Sequence, residues 1–172
     1  MEDGIPFSGI AMNKLSLSLI ALSCLVSSCD APPESYFGRA VLNLNMIHGF
    51  AGSGMEQQLK QPSSKLAANE KDVVQMTRKE VVEDKIRFAE DAFEKVKRLK
   101  ESDDSREMIQ ASKAVYEYVL PVFRNEYEEL ARLYDNGAPQ VEIDQLSGKI
   151  REKYAAGFQA KMDALTTAAK PY

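Results

Sequence analysis

Apolar side chains recur every three or four residues along most of this chain, which is the spacing of one face of a helix. The clearest stretch is residues 65–101, which contain no Gly or Pro and follow a stop and N-cap signal at Pro62-Ser63-Ser64. Two adjoining apolar stripes run through it, at Val82, Ile86, Ala89, Phe93 and Val96 and at Val74, Val81, Phe88, Ala92 and Leu99. So wide an apolar face predicts a bundle helix with more than one neighbour.

A second helix is predicted to reach about Asp135, with a stripe at Tyr116, Leu120, Phe123, Tyr127, Leu130 and Tyr134. Asp103 or Asp104 can cap its start, with Glu107 in the capping-box position. Pro121 lies in its middle and removes one backbone hydrogen bond. Because the stripe keeps its phase on both sides, we expect a kink one turn before Pro121 and not two separate helices.

The sequence Asn136-Gly137 is predicted to end the second helix, and Pro139 is predicted to begin the last one. Its stripe comprises Ile143, Leu146, Ile150, Tyr154, Phe158, Met162 and Leu165. Gly148 and Gly157 lie within it, and each costs about 1 kcal/mol relative to Ala in a helix. We therefore expect both glycines to mark close helix contacts.

These elements predict an all-α fold, since no run alternates with period two for long enough to form a strand. Residues 34–48 read as a shorter helix, followed by a Gly-containing break and a turn or two before Pro62. Long helices with short polar loops run antiparallel, as an up-down bundle. Residues 34–61 would complete a four-helix bundle, or a three-helix bundle is formed if they pack as an irregular arm.

A different apolar run lies near the N-terminus, between Met12-Asn13-Lys14 and Val26-Ser27-Ser28-Cys29. A short cationic start, an apolar run too short to span a bilayer and small residues before a cleavage point are the parts of a secretory signal peptide. Glu2 and Asp3 do not suit the cationic start, so Met12 is the expected first residue. The alternative is a cytosolic protein in which Cys24 and Cys29 are buried in an N-terminal helix.

The ending Val26-Ser27-Ser28-Cys29 resembles the lipobox of bacterial lipoproteins. The resemblance implies that residues 1–28 are a signal peptide, that Cys29 is the lipidation site, and that residues 29–33 are a tether to a single domain at 34–172. The protein would then be exported and held in the cell envelope by acyl chains. Asp30 resembles the enterobacterial signal for inner-membrane retention, a rule that does not hold in every phylum, so either membrane remains possible.

The helical part is similar to small uncharacterised helical lipoproteins of Gram-negative bacteria. The similarity covers about residues 80–168 and rests on Phe93-x-x-Val96-x-x-Leu99 and on Tyr116 through Asn125-Glu126-Tyr127-x-x-Leu130. It carries over no functional residue.

Composition excludes several kinds of chemistry. The net charge is −4, and acidic and basic residues are mixed along the chain, so the sequence indicates no basic patch that would bind nucleic acid. His48 is the one histidine, and Cys29 would be consumed by lipid, so we expect no metal site and no cofactor. Gly49-Phe50-Ala51-Gly52-Ser53-Gly54 lacks the lysine and the spacing of a phosphate loop. We expect no catalytic residues and no enzymatic activity.

Two acidic clusters and a group of tyrosines remain. Helical spacing places Glu80-Glu83-Asp84 and Glu126-Glu128-Glu129 on solvated faces, the second beside Arg124 and Arg132. We expect Tyr116, Tyr127, Tyr134 and Tyr154 to pack in the core with their hydroxyls at its edge, and Tyr118 to lie outside.

The main hypothesis is a non-enzymatic lipoprotein that binds an envelope protein or glycan. The alternative is a carrier with a small apolar ligand in a core pocket lined by Phe88, Phe123, Tyr127 and Phe158. A filled core would argue against the carrier, and a cleft with buried carboxylates would favour an enzyme.

Overall fold

The computed structural model describes residues 33–171, and these belong to one compact unit. The predicted signal peptide, the start at Met12, the lipidation site Cys29 and the residues that precede Pro33 lie outside that range. The described part is predominantly helical, as the spacing of apolar residues predicts.

Three long helical stretches form the body of the protein. The first is α3 (Arg78–Lys97), and the second runs from α4 (Arg106–Val122) through a π-helical segment (Phe123–Tyr127) into α5 (Glu128–Asp135). The third is α6 (Gln140–Ala169). Helix α4 packs against both α3 and α6, and α5 also contacts both.

The N-terminal part of the domain is shorter and less regular. It consists of α1 (Pro33–Ala40), a 3-10 helix (Leu42–Ile47) and α2 (Ser53–Lys60). These replace the single helix predicted over 34–48. A left-handed turn follows the 3-10 helix, where a side chain on Gly49 would lie 2.9 Å from the backbone of Gly54.

A β-hairpin occupies the start of the predicted helix 65–101, so that prediction is wrong over its first third. Strands β1 (Ser64–Leu66) and β2 (Val73–Gln75) pair antiparallel as a two-stranded sheet. The side-chain oxygen of Asn69 accepts from the amides of Lys71 and Asp72, both at 3.1 Å, and so orders the turn. The β-branched pair Val73-Val74 favours an extended backbone, and Val74 belongs to β2 and not to a helix stripe.

Helix α3 begins thirteen residues later than predicted, at a capping box. The Thr77 hydroxyl accepts from the Glu80 amide at 3.1 Å, and the Glu80 carboxylate accepts from the Thr77 amide at 2.9 Å. Asp135 supplies a second cap, since its two oxygens accept from the amides of Arg78 and Lys79 at 2.9 Å each. All the free amides of this helix start therefore have partners.

The stretch 106–135 is helical throughout, as predicted, but its irregularity lies after Pro121 and not one turn before it. The π-helical segment Phe123–Tyr127 shifts the backbone hydrogen bonds by one residue. The Asn125 side-chain amide donates to the Pro121 carbonyl at 2.7 Å, which gives that carbonyl a partner.

The cap of α4 also differs from the prediction. The N-cap residue of α4 is Ser105, and neither Asp103 nor Asp104 caps this helix. Ser102 and Ser105 instead bond reciprocally, because the hydroxyl of each accepts from the amide of the other, at 3.0 and 3.2 Å.

The break before α6 follows the prediction. Gly137 adopts a left-handed φ of +67° and donates to the Tyr134 carbonyl, while Ala138 donates to Leu133. Pro139 is the N-cap residue of α6. Of the two glycines in α6, only Gly157 marks a close contact: a side chain there would overlap the Tyr118 hydroxyl, whereas a side chain added at Gly148 would have no neighbour within 4 Å.

The core contains a cluster of aromatic rings centred on Phe50. Its ring centroid lies 5.3 Å from Phe123, 5.8 Å from Tyr127 and 5.0 Å from Phe158. Next to it, the amide of Ala51 donates to the Tyr127 hydroxyl at 2.9 Å. The glycine-containing break is therefore part of the core.

Candidate functional site

The acidic cluster at the start of α3 is engaged in local ion pairs. Glu80 pairs with Lys65 of β1, and the hydrogen bond from Lys65 is the main cause that holds the pKa of Glu80 below its ordinary value. Glu83 lies 3.5 Å from Lys79, and Asp84 pairs with Arg87. These carboxylates sit on a solvated helix face.

The second acidic cluster, Glu126-Glu128-Glu129, also forms ion pairs with nearby basic side chains. Glu129 pairs with Arg132, whose hydrogen bond lowers the pKa of that carboxyl. Glu126 lies 3.5 Å from Lys153 and accepts a hydrogen bond from the Tyr154 hydroxyl. Arg124, predicted beside this cluster, pairs with Glu90 of α3 instead.

His48 is exposed at the end of the 3-10 helix, where its backbone amide donates to the Asn45 carbonyl at 3.2 Å. Within residues 33–171, no group of three or more His, Cys, Asp and Glu side chains is arranged to hold a metal ion.

Two of the tyrosines pack more deeply than predicted, whereas Tyr134 and Tyr154 are half-buried. Tyr116 and Tyr127 are fully buried, so the expectation that their hydroxyls reach the edge of the core is wrong, and burial raises the pKa of both. The Tyr116 hydroxyl has no hydrogen-bond partner, and its ring stacks on Phe93 with 5.7 Å between centroids.

Tyr118, predicted to lie outside, is half-buried between α4 and α6. Its hydroxyl donates to the Tyr154 carbonyl at 3.2 Å, and its ring lies against the bare backbone of Gly157. Lys161 sits 5.3 Å above the same ring. This tyrosine therefore holds two helices together.

The pocket predicted for a carrier would lie among Phe88, Phe123, Tyr127 and Phe158. Phe50 packs against the last three of these rings. Because at least 73 positions of the sequence separate Phe50 from these three rings, the pattern of the helices does not indicate that Phe50 packs among them.

An open polar depression of about 610 Å³ lies beside the π-helical segment. It is lined by Lys79, Arg124, Asn125, Glu128, Glu129, Arg132, Asp135 and Asn136. Most of these residues already have partners within the fold: Asp135 caps α3, Arg132 pairs with Glu129, Asn125 bonds to Pro121, and Arg124 pairs with Glu90. The depression brings charges of both signs together without selecting a ligand of one sign.

The hairpin exposes apolar side chains in the segment that was predicted to begin a helix. Leu66 is 63% exposed, Val73 68% and Val74 39%. A free two-stranded hairpin is marginally stable in water, and its open edges can pair with another extended chain. The capping box at Thr77-x-x-Glu80 was the available signal that the helix starts after this segment.

The ladder of the hairpin shows which backbone groups point outward. The Ala67 amide donates to the Asp72 carbonyl at 2.8 Å, which makes this a hydrogen-bonded pair. Antiparallel pairs alternate, so the next pair, Leu66 and Val73, directs its amides and carbonyls away from the partner strand. Both edges of the hairpin thus offer free backbone donors and acceptors.

Comparison with protein-family models, with curated proteins and with solved structures found no match for this chain. Within the described residues, none of the helices is both long and apolar enough to cross a membrane.

Proposed function

We propose that this protein is an exported, lipid-anchored protein of the bacterial cell envelope that binds another envelope protein and is not an enzyme. The lipobox-like ending at Cys29 supports the anchor. The observation that carries the binding role is the hairpin, where exposed Leu66 and Val73 accompany open backbone edges.

A protein partner suits the hairpin better than a glycan does. The free groups of an edge strand are amides and carbonyls at the spacing of an extended polypeptide, and another extended polypeptide matches that spacing. The exposed apolar side chains beside them would contact alternate side chains of the added strand.

In this proposal the helices form an antiparallel up-down bundle, with residues 34–61 as its shorter fourth member. Asp135 supports that arrangement, because its contacts bring the end of α5 beside the start of α3. The packing of α1 on α3 and α4 supports the fourth position.

The test places a photo-crosslinking amino acid at Leu66 of the full chain in its own cells. We expect a discrete adduct, reduced several-fold by Val73→Pro, which removes one outward amide, and unchanged by Val73→Thr, which keeps it. Equal yields from both variants would contradict strand addition.

A second experiment in the same cells tests the anchor. An alkyne-labelled fatty acid should label the wild-type chain and not Cys29→Ala, and equal labelling of both would contradict the anchor.

A further inference from the structure

We propose that the 3-10 helix Leu42–Ile47 rests on the lipid surface, with Leu42 and Met46 inserted at the boundary between the lipid headgroups and the acyl chains. The proposal rests on the lipid anchor at Cys29 put forward above. It specifies which face of the anchored domain contacts the membrane.

The short tether restricts which part of the domain can reach the bilayer. Cys29 precedes Pro33 by four residues, which span at most about 14 Å when fully extended. Helix α1 has eight residues and is therefore about 12 Å long. The 3-10 helix, which starts two residues after α1, thus lies within reach of the surface that holds the anchor.

The 3-10 helix presents its apolar side chains on a fixed support. Leu42 is 54% exposed and Met46 48%, whereas Leu44 and Ile47 are buried in the core. The Lys85 amine of α3 donates to the Met46 carbonyl at 2.8 Å. Exposed Leu and Met on an element held in this way cannot turn inward, so water or lipid must cover them.

The charges of this segment also suit a lipid surface. Between Glu34 and Glu56 the chain contains Arg39 and His48 and no further Asp or Glu, although it carries 26 acidic residues in all. Arg39 is exposed one turn before the 3-10 helix. Carboxylates would be repelled by anionic headgroups, and basic side chains are attracted by them.

The hairpin, which is the other exposed apolar surface, is less suited to lipid. Its turn carries Glu70 and Asp72, and Glu80 lies beside β1. Its first strand begins 35 residues after Cys29, whereas the 3-10 helix begins 13 residues after Cys29.

The experiment uses the absence of tryptophan from this chain. Leu42→Trp and, as a matched control, Val141→Trp each introduce one fluorophore at an exposed apolar position; Val141 is 60% exposed in the first turn of α6. The full-length gene is expressed in bacteria, and the membrane-extracted protein is reconstituted in phosphatidylethanolamine and phosphatidylglycerol vesicles with brominated acyl chains. Acylation of Cys29 is measured in the same samples by mass spectrometry.

We expect the emission of Leu42→Trp to be quenched at least about twofold more than that of Val141→Trp. If Cys29 is acylated and the two variants are quenched equally, the lipid-facing role of the 3-10 helix is overturned and the anchor stands. If Cys29 carries no acyl chain, the proposed function is overturned and this inference fails with it. Met46→Trp repeats the measurement if Leu42→Trp alters the circular dichroism spectrum.

Discussion

Gly148 and Gly157 show that one residue type on one helix can have two different roles. Both lie inside α6, where glycine is less favourable than alanine. Gly148 has open space around it, while the ring of Tyr118 occupies the place where a side chain of Gly157 would be. The cost of glycine is therefore offset by packing at one position only.

This difference predicts opposite results for two identical substitutions. Gly148→Ala should raise the free energy of unfolding by about 0.5–1 kcal/mol, because alanine favours the helix and meets no neighbour. Gly157→Ala should leave the protein at least about 1 kcal/mol less stable than Gly148→Ala, since Tyr118 must move and lose its bond to Tyr154. Urea unfolding followed by circular dichroism measures both.

The control for this pair is a Tyr118→Ala background. There the clash is absent, so Gly157→Ala should gain about as much as Gly148→Ala. Equal gains of the two variants in the wild-type background would show that the Tyr118 contact is not important for stability.

At the scale of elements, the start of α3 depends on a residue at the end of α5, which is far away in sequence but adjacent in the fold. Thr77 and Glu80 form a capping box that local sequence encodes. Asp135, 57 positions away from Arg78 in sequence, supplies the remaining acceptors. The local signal determines where the helix begins, and the tertiary contact fixes what lies beside it.

We predict that Asp135→Ala lowers the free energy of unfolding by about 2 kcal/mol, because two backbone amides lose a charged acceptor. Asp103→Ala is the matched control, since Asp103 forms an exposed pair with Arg106 and should change stability by less than about 0.5 kcal/mol. Denaturant midpoints compare the two. Similar small effects of both changes would mean that water replaces Asp135 as the cap.

At the scale of the whole molecule, Phe50 joins the N-terminal part to the helical body. It sits in a break between helices and contacts rings of α4, the π-helical segment and α6. The adjacent Ala51 adopts a left-handed φ of 51°, and its amide bonds to Tyr127. An irregular backbone is thus held in place by the core that it completes.

Phe50→Ala should therefore cost about 3–5 kcal/mol of unfolding free energy, which is the usual range for a buried aromatic ring. Leu42→Ala, at an exposed position eight residues earlier, should cost less than about 0.5 kcal/mol. Thermal and urea unfolding test the pair. A loss below about 1 kcal/mol for Phe50→Ala would show that residues 42–61 form an arm that is separate from the core.

The sequence by itself determined the predominantly helical class, the break between α5 and α6 and the solvated faces that carry the two acidic clusters. These depend on periodicity, capping residues and charge spacing within a few turns, which are local properties. Local pattern also explains the error at residues 64–77, because the absence of Gly and Pro permits a helix without requiring one.

Only the tertiary structure decided how Phe50 fills the core, why Gly157 faces Tyr118 and why Asp135 caps α3. Each of these joins residues far apart in the chain, and no periodicity within one element encodes the choice of partner. The exposure of Leu42, Met46 and the hairpin is of the same kind, because a side chain is buried or exposed according to which other elements pack over it.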